Sequence, residues 1–239
     1  MVVTPLAELE TRGNEAYEAL RRALISGRFV PGQKLTLRAL AGALGMSVTP
    51  VREAIHRLTA ERALEASANR SVRIPPMTRA KILELRDIRI TNEGLAAARA
   101  AKNATTDEIR QLRQLALEIV AARAREDVAA DIAKLADFHF AVYRLSHMPQ
   151  LVQLIESLWL QTGSCLHLLF PDYMGALKHD RCGQIIRAIE AGDAEGARRA
   201  VASDIGAALT YIADLADQNG IVHPRPRPGR RREGASSLE

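Results

Sequence analysis

Hydrophobic positions recur at helical spacing over most of the chain, and in its first third they mark two short helices. The first predicted helix covers residues 37–44, follows Thr36, a good capping residue, and ends at Gly45. The second predicted helix begins near Ser47. Two β-like segments follow it and are joined by a polar turn at residues 67–70. This order predicts a winged helix-turn-helix, in which the second helix enters a DNA major groove.

The second predicted helix has an apolar stripe and a polar face. The stripe consists of Val51, Ile55 and Leu58, and the polar face consists of Thr49, Arg52 and His56. A further helix is predicted over residues 16–26, where Gly27 ends it. Pro75 and Pro76 close this region, because neither residue continues a strand or a helix well. Residues 1–76 are therefore predicted to form a DNA-binding domain of three helices and a small β-hairpin.

The remainder of the chain is predicted to be helical up to residue 219. The predicted helices are 79–102, 106–125, 128–145, 149–169, 175–191 and 194–217. Short connections between them favour an antiparallel all-α bundle over residues 77–219, so the protein is predicted to be mainly α. Residues 220–239 are rich in Pro and Arg and are predicted to form a disordered basic tail.

Composition and charge narrow the classes of protein that fit this organisation. No apolar stretch approaches the roughly 18 residues needed to span a bilayer, and the N-terminus does not have the pattern of a secretory signal. The chain has two cysteines, which suits a reducing cytoplasm. Residues 1–75 hold 11 basic and 7 acidic residues, whereas residues 76–219 hold 17 and 19. The basic excess therefore lies on the predicted DNA-binding domain, as phosphate contacts require.

Two groups of motifs carry a family resemblance. The segments ISGRFVPGQKL at 25–35 and SVTPVREAIHRLTAERAL at 47–64 resemble the DNA-binding domain of the GntR family of bacterial regulators. Residues 78–217 resemble the helical ligand-sensing FCD domain of the FadR-type branch. The carrying segments there are LRDIRITNEGLAA at 85–97, DFHFAVYRLSHMPQL at 137–151 and IIRAIEAGDAEGARRAV at 185–201.

The resemblance implies a set of DNA contacts. Arg38 would meet the DNA backbone or a base edge, and Arg52 would make a bidentate contact with guanine in the major groove. Ser47 and Thr49 would lie in the same groove, while Val48 stands where relatives often have arginine and would touch a thymine methyl group. The remaining expected DNA-binding residues are His56 on the polar face and Asn69 and Arg70 at the tip of the wing.

The resemblance also implies a metal site in the bundle, built by relatives from one Asp and three His. In this chain those positions correspond to Leu135, His139, Cys182 and Asp204. Imidazole, thiolate and carboxylate all bind zinc, so His139, Cys182 and Asp204 form one possible site. Alternatively, the cavity has no metal and binds an organic effector directly. In the third interpretation His139 and Cys182 are core residues. For the metal interpretation, His179 could substitute as a ligand if its helix is rotated.

Arg89 lies where the resemblance implies an arginine that faces the effector pocket. There it would hold an effector carboxylate through two parallel hydrogen bonds. The alternative is an i, i+4 ion pair with Glu93 on a solvated helix face. Effectors in this branch are often organic acids, so a small carboxylate-bearing metabolite is expected to bind Arg89, His139, Cys182 and Asp204.

These observations predict a cytoplasmic, homodimeric transcriptional regulator that binds a palindromic operator, with repression as the expected mode. Two other classes of protein remain possible. A helical metalloenzyme would use His139 and Asp204 around a catalytic metal, but the chain lacks the Glu-x-x-His pairs of di-metal bundles. An architectural DNA-binding protein would bind phosphates without preference for sequence or effector.

Overall fold

The computed structural model describes residues 6–67, 71–170, 172–176 and 180–222. Its N-terminal part contains three helices and three short strands. They are α1 (Leu6–Ile25), β1 (Lys34–Thr36), α2 (Leu37–Leu44), α3 (Val48–Ala60), β2 (Glu65–Ser67) and β3 (Ser71–Arg73). The predicted winged helix-turn-helix is therefore confirmed, and α1 begins ten residues before the predicted start at residue 16.

Local chemistry fixes the ends of α2. The Thr36 hydroxyl accepts a hydrogen bond from the backbone nitrogen of Ala39 at 3.2 Å, which caps the first turn. Gly45 adopts a left-handed conformation with φ of 64°, which glycine tolerates without steric cost, and its N–H bonds back to the last turn. Both predicted boundaries of this helix are confirmed.

The small sheet has one more strand than the sequence predicted. Its order is β1–β3–β2, and both pairings are antiparallel. Leu35 of β1 lies opposite Val72 of β3, and both side chains are buried. A three-residue strand is too short to show an alternating pattern, so β1 could not be recognised from hydrophobic periodicity.

The second part of the chain is helical. Its elements are α4 (Arg79–Asn103), α5 (Thr106–Ala124), α6 (Val128–Arg144), α7 (Pro149–Thr162), a 3₁₀ helix (Gly163–Leu169), α8 (Asp172–Ala176), α9 (Arg181–Glu190) and α10 (Ala194–Ala213). The mainly α fold class is confirmed. The predicted helix at 149–169 is wrong beyond Thr162, because the chain tightens there into the 3₁₀ helix. The predicted helix at 175–191 is also wrong, since α9 starts at Arg181, after its cap residue Asp180.

The helices α4 and α10 form the most extensive pair in the described part of the chain. Three alanines on α4, Ala96, Ala97 and Ala100, are completely buried. Small side chains permit a close approach of two helices, so this pair forms the centre around which the other helices pack.

The helical part also contacts α1 directly. A guanidinium nitrogen of Arg21 on α1 lies 2.5 Å from a carboxylate oxygen of Glu156 on α7. A methyl group added at Gly163 would overlap the carbonyl oxygen of Leu24 and lie 3.0 Å from the Cα of Ile25. The start of the 3₁₀ helix therefore touches the backbone of α1, and only glycine allows this approach.

The chain end that follows α10 corrects part of the predicted tail. Residues 220–222 fold back against residues 77–79 rather than belonging to a disordered segment. Val222 is buried, and its N–H donates to the carbonyl oxygen of Met77 at 2.8 Å. Residues 223–239 lie outside the described residues, and the predicted domain limits remain predictions. No helix in the described part is both long and apolar enough to cross a membrane.

Candidate functional site

The exposed face of α3 carries the polar residues that the sequence assigned to it. The side chains of Ser47, Thr49, Arg52 and His56 are exposed. The apolar stripe of Val51, Ile55 and Leu58 lies on the opposite side of the helix and is buried. This separation leaves one polar side of the helix open to a partner, as insertion into a groove requires.

Two exposed arginines beside this face can contact a negatively charged partner. Arg38 on α2 and Arg52 on α3 are exposed, and neither forms an ion pair with an acidic side chain of the described residues. Val48 is half-buried and packs partly against the core, so it presents only part of its surface to a partner. Asn69 and Arg70 lie outside the described residues, and their role at the wing stays a prediction.

A further arginine of α3, Arg57, holds this helix against α1. Its guanidinium donates to the side-chain oxygen of Asn14 at 2.7 Å and lies 3.8 Å from the ring centroid of Tyr17. The Tyr17 hydroxyl in turn donates to Glu61 at 2.9 Å. This role was not predicted, because helical spacing identifies an exposed side chain but not its partner on another helix.

The helical domain contains a cavity of about 440 Å³ that is lined by residues of α4 to α10 and of the 3₁₀ helix. All four residues expected to bind an effector line it, namely Arg89, His139, Cys182 and Asp204. Most of the other lining residues are apolar, and Leu166, Leu169 and Met174 are among them. A concave apolar site with a few polar groups is the usual form of a small-molecule site, and about 300–1,000 Å³ is the usual volume.

Arg89 forms the ion pair with Glu93 that was the alternative to effector binding, but in a buried environment. The two side chains are 3% and 0% exposed, and Nε of Arg89 lies 2.5 Å from Oε1 of Glu93. The guanidinium also donates to the Thr162 hydroxyl at 2.9 Å and stacks 4.4 Å from the Trp159 ring centroid. The prediction of a solvated face is therefore wrong, because α4 is covered on this side by α7.

Glu93 is the centre of a buried hydrogen-bond network. Besides Arg89, its carboxylate accepts hydrogen bonds from the Tyr143 hydroxyl and from Nε1 of Trp159, the latter at 3.1 Å. Burial and the nearby Glu93 charge raise the pKa of Tyr143 well above its usual value, so the phenol keeps its proton. The completely buried Glu93 carboxylate thus accepts hydrogen bonds from Arg89, Tyr143 and Trp159.

The network continues from Tyr143 to the cavity wall. The Tyr143 oxygen lies 3.0 Å from Nδ1 of His139, and Nε2 of His139 lies 3.2 Å from Asp204. Because the single hydroxyl hydrogen goes to Glu93, the Tyr143 oxygen accepts from Nδ1. Both ring nitrogens of His139 therefore have protein partners.

The donor set does not fit the expected zinc site. In the described residues, no three His, Cys, Asp or Glu side chains converge to hold a metal ion. Leu135 stands in the cavity wall where the resemblance places a carboxylate, and it offers no donor atom. His139 and Asp204 lie 3.2 Å apart, but no third donor of the described residues joins them. His179 lies outside the described residues, so its use as a ligand stays a prediction.

The side chain of Cys182 behaves as a neutral thiol in this wall. It is partly buried, and burial, together with the charges of Asp204 and Asp180, raises its pKa to about 12. A thiol with this pKa is protonated at neutral pH, and it contributes a weakly polar surface to the cavity.

Three polar residues of the cavity wall were not predicted from the sequence. The Arg123 guanidinium donates two hydrogen bonds, at 2.8 and 3.2 Å, to the buried carboxylate of Asp131. Tyr173 and Arg181 line the cavity near the start of α9. Arg181 lies directly before Cys182 in the sequence, whereas Tyr173 belongs to a short helix at a position where the sequence predicted a connection between helices.

Two protein families match the chain, one in each of its two structural parts. Residues 12–74 match bacterial regulatory proteins of the gntR family, and residues 84–207 match the FCD domain. The chain is similar to the HTH-type transcriptional regulator McbR of Escherichia coli, with 32% identity over 77% of this chain and 84% of the relative. It is also 28% identical to a probable D-xylose utilization operon transcriptional repressor of Paenarthrobacter nicotinovorans, over 83% and 86% of the two chains.

Solved structures extend the similarity to the backbone. E. coli McbR/YncC superimposes with a TM-score of 0.74 and 30% identity, covering 88% of this chain and 98% of that chain. A putative GntR transcriptional regulator from Rhodococcus sp. RHA1 gives a TM-score of 0.71 at 25% identity, covering 87% and 100%.

Proposed function

This chain belongs to the GntR family of bacterial transcriptional regulators and has an FCD domain, and from that premise we propose that it represses transcription under the control of a small organic acid. Both domains match transcription regulators, so the chain is a regulator rather than a metalloenzyme. Repression is proposed because a relative that resembles it over most of its length is described as a repressor.

The proposed contact with the operator uses the exposed face of α3. The observation that carries it is the open polar side of this helix, on which Arg52 has no acidic partner among the described residues. An arginine with free donors can make a bidentate contact with guanine. Arg38, Ser47 and Thr49 are proposed to position the helix against the backbone and bases around it. An architectural role without sequence preference would not need such a directed face.

We further propose a homodimer on a palindromic operator. One recognition helix covers only a few base pairs, and a two-fold dimer places a second helix about one turn of DNA away. The test is selection of duplexes from a random pool by the purified protein. Enrichment of a two-fold symmetric sequence supports the proposal, whereas recovery of sequences without any common motif contradicts specific operator binding.

The cavity in the helical domain is the proposed effector site. Its volume of about 440 Å³ suits a small metabolite, and its wall combines apolar side chains with several cationic groups. We propose direct binding of a carboxylate without a metal, because Leu135 offers no donor atom and no third donor of the described residues joins His139 and Asp204.

A chain of contacts supports transmission from this cavity to α1. Arg89 on the cavity wall donates to Thr162, and the next residue, Gly163, touches the backbone of Leu24. A ligand that displaces the 3₁₀ helix must therefore move against α1, which in turn holds α3 through Arg57. Ligand binding controls DNA affinity to the extent that it favours one arrangement of these helices.

The test of ligand control combines two measurements on the full chain. A panel of small organic acids is screened by thermal shift, with and without zinc, and each stabilising acid is added to the complex with the selected duplex. The proposal predicts that at least one acid raises the unfolding midpoint without zinc and weakens DNA binding. Stabilisation that requires zinc would contradict direct binding, and unchanged DNA affinity would contradict ligand control.

A further inference from the structure

The polar groups on the cavity wall differ in how far their hydrogen-bonding capacity is already used. The satisfied groups are Arg89 with Glu93 and Thr162, Arg123 with Asp131, and His139 with Tyr143 and Asp204. An incoming carboxylate would have to displace an internal acidic partner from each of them. Arg89 in particular is held on three sides by Glu93, Thr162 and the face of Trp159.

Two donors on the same wall lack such partners. Nε of Arg181 and the hydroxyl of Tyr173 are both shielded from solvent, and neither has a hydrogen-bond partner among the described residues. The remainder of the Arg181 guanidinium is anchored, since Nη1 donates to the Ser203 hydroxyl at 3.0 Å. A buried donor without an acceptor is costly, so a pair of them in a cavity indicates that a ligand supplies the acceptor.

The two donors belong to one end of the cavity. Tyr173 lies on α8 and Arg181 in the first turn of α9. Both side chains line the same cavity, and burial raises the pKa of Tyr173, while the charge of Arg181 opposes this rise and that of Asp204 adds to it. The neighbouring acidic side chain of Asp180 is directed elsewhere, because it caps α9 and lies 3.6 Å from Arg187. Arg181 is therefore the cation of this wall with no carboxylate bonded to it in the described residues.

We infer that Arg181 and Tyr173 form the subsite that holds the acid group of the effector. A carboxylate at this end accepts from Nε of Arg181 through one oxygen and from the Tyr173 hydroxyl, and the arginine balances its charge. The wall beyond them is apolar and includes Leu166, Leu169 and Met174. The effector class is thus a monocarboxylate with a compact apolar body. This inference deepens the proposed ligand control of the same cavity, and it assigns Arg89 to positioning the helices.

The test compares benzoate with benzamide, which share shape and size but differ in charge. Binding to the full-length protein is measured by calorimetry for the wild type, Arg181→Gln, Tyr173→Phe and the control Arg187→Gln on the same helix. Benzoate is expected to bind the wild type more tightly than benzamide. Arg181→Gln should weaken benzoate about tenfold or more, since a hydrogen bond to a charged group is lost, and should leave benzamide nearly unchanged.

Tyr173→Phe keeps the ring and is expected to give a smaller loss for benzoate alone, whereas Arg187→Gln should change neither ligand. Far-UV circular dichroism of each variant checks that it is folded. Equal binding of the two probes to the wild type, or a benzoate preference that survives Arg181→Gln, would overturn the inference. If the preference is lost as expected but no acid alters DNA affinity, the subsite stands and the proposed ligand control fails.

Discussion

The buried ion pair of Arg89 and Glu93 gives a prediction whose size follows from the structure. Replacing Glu93 by Gln removes the negative charge but keeps the shape of the side chain. An amide oxygen can still accept from Tyr143 and Trp159, but its NH₂ group then faces Nε of Arg89, where only an acceptor is tolerated. The guanidinium, 3% exposed, is left without a counter-charge.

Breaking a buried pair from one side costs about 3–5 kcal/mol, a large part of the roughly 5–15 kcal/mol that stabilises a typical domain. For a protein of this size the unfolding midpoint should fall by roughly 6–20 °C. The matched control is Glu190→Gln, because Glu190 and Arg113 form a pair of 2.6 Å whose side chains are half exposed. That change should cost about 1 kcal/mol or less, since solvent screens both charges.

The assay is urea unfolding followed by far-UV circular dichroism, with the fluorescence of Trp159, the single tryptophan, as a second probe. The double variant Arg89→Met with Glu93→Gln should recover part of the loss, because the uncompensated guanidinium is then absent. Equal free energies of unfolding for Glu93→Gln and Glu190→Gln would refute the assigned role of the pair. A double variant less stable than Glu93→Gln would do the same.

Three other predictions test local features. Gly163→Ala forces a methyl group against Leu24 and should lower the free energy of unfolding by about 1–3 kcal/mol in urea; Gly206→Ala, with only ordinary contacts, should be neutral or stabilising, and similar losses in both would contradict the close approach. Burial raises the pKa of Cys165 to about 12, so on the order of one thiol in ten thousand is ionised at pH 8. Mass analysis should find Cys165 unmodified by iodoacetamide in the native protein and modified in urea; rapid native modification would argue against its burial. Thr36→Ala should cost about 1 kcal/mol in unfolding experiments through loss of the cap, while Thr36→Ser should retain most of it.

The DNA-binding half was predictable because its determinants are local. Thr36 and Gly45 mark the ends of α2 by their own backbone chemistry, and the spacing of apolar residues separates the two faces of α3. By contrast, the end of α7 at Thr162 depends on a contact with α1, which is more than a hundred residues away in the chain. No local pattern records that contact.

Several residues that line the cavity could be predicted from the sequence, but their interactions could not. The resemblance identified Arg89 and His139 as wall residues, and the i, i+4 spacing identified Glu93 as a partner. Whether that pair is solvated or buried depends on the helix that covers it, which the spacing cannot show. The donors of Arg181 and Tyr173 that have no partner among the described residues likewise become apparent only when the partners of the other wall residues are known.

The most direct test of regulation through α3 is the affinity of Arg52→Ala for the duplex selected by the wild type. The control is Arg125→Ala, an exposed arginine of the helical domain with the same charge. Fluorescence anisotropy is measured at one fixed salt concentration for the selected duplex and a scrambled one. Loss of a bidentate guanine contact predicts weakening of about 5- to 150-fold on the selected duplex, with much less change on the scrambled one and none for Arg125→Ala. Equal affinity of Arg52→Ala and wild type for the selected duplex would contradict the proposed recognition of the operator by α3.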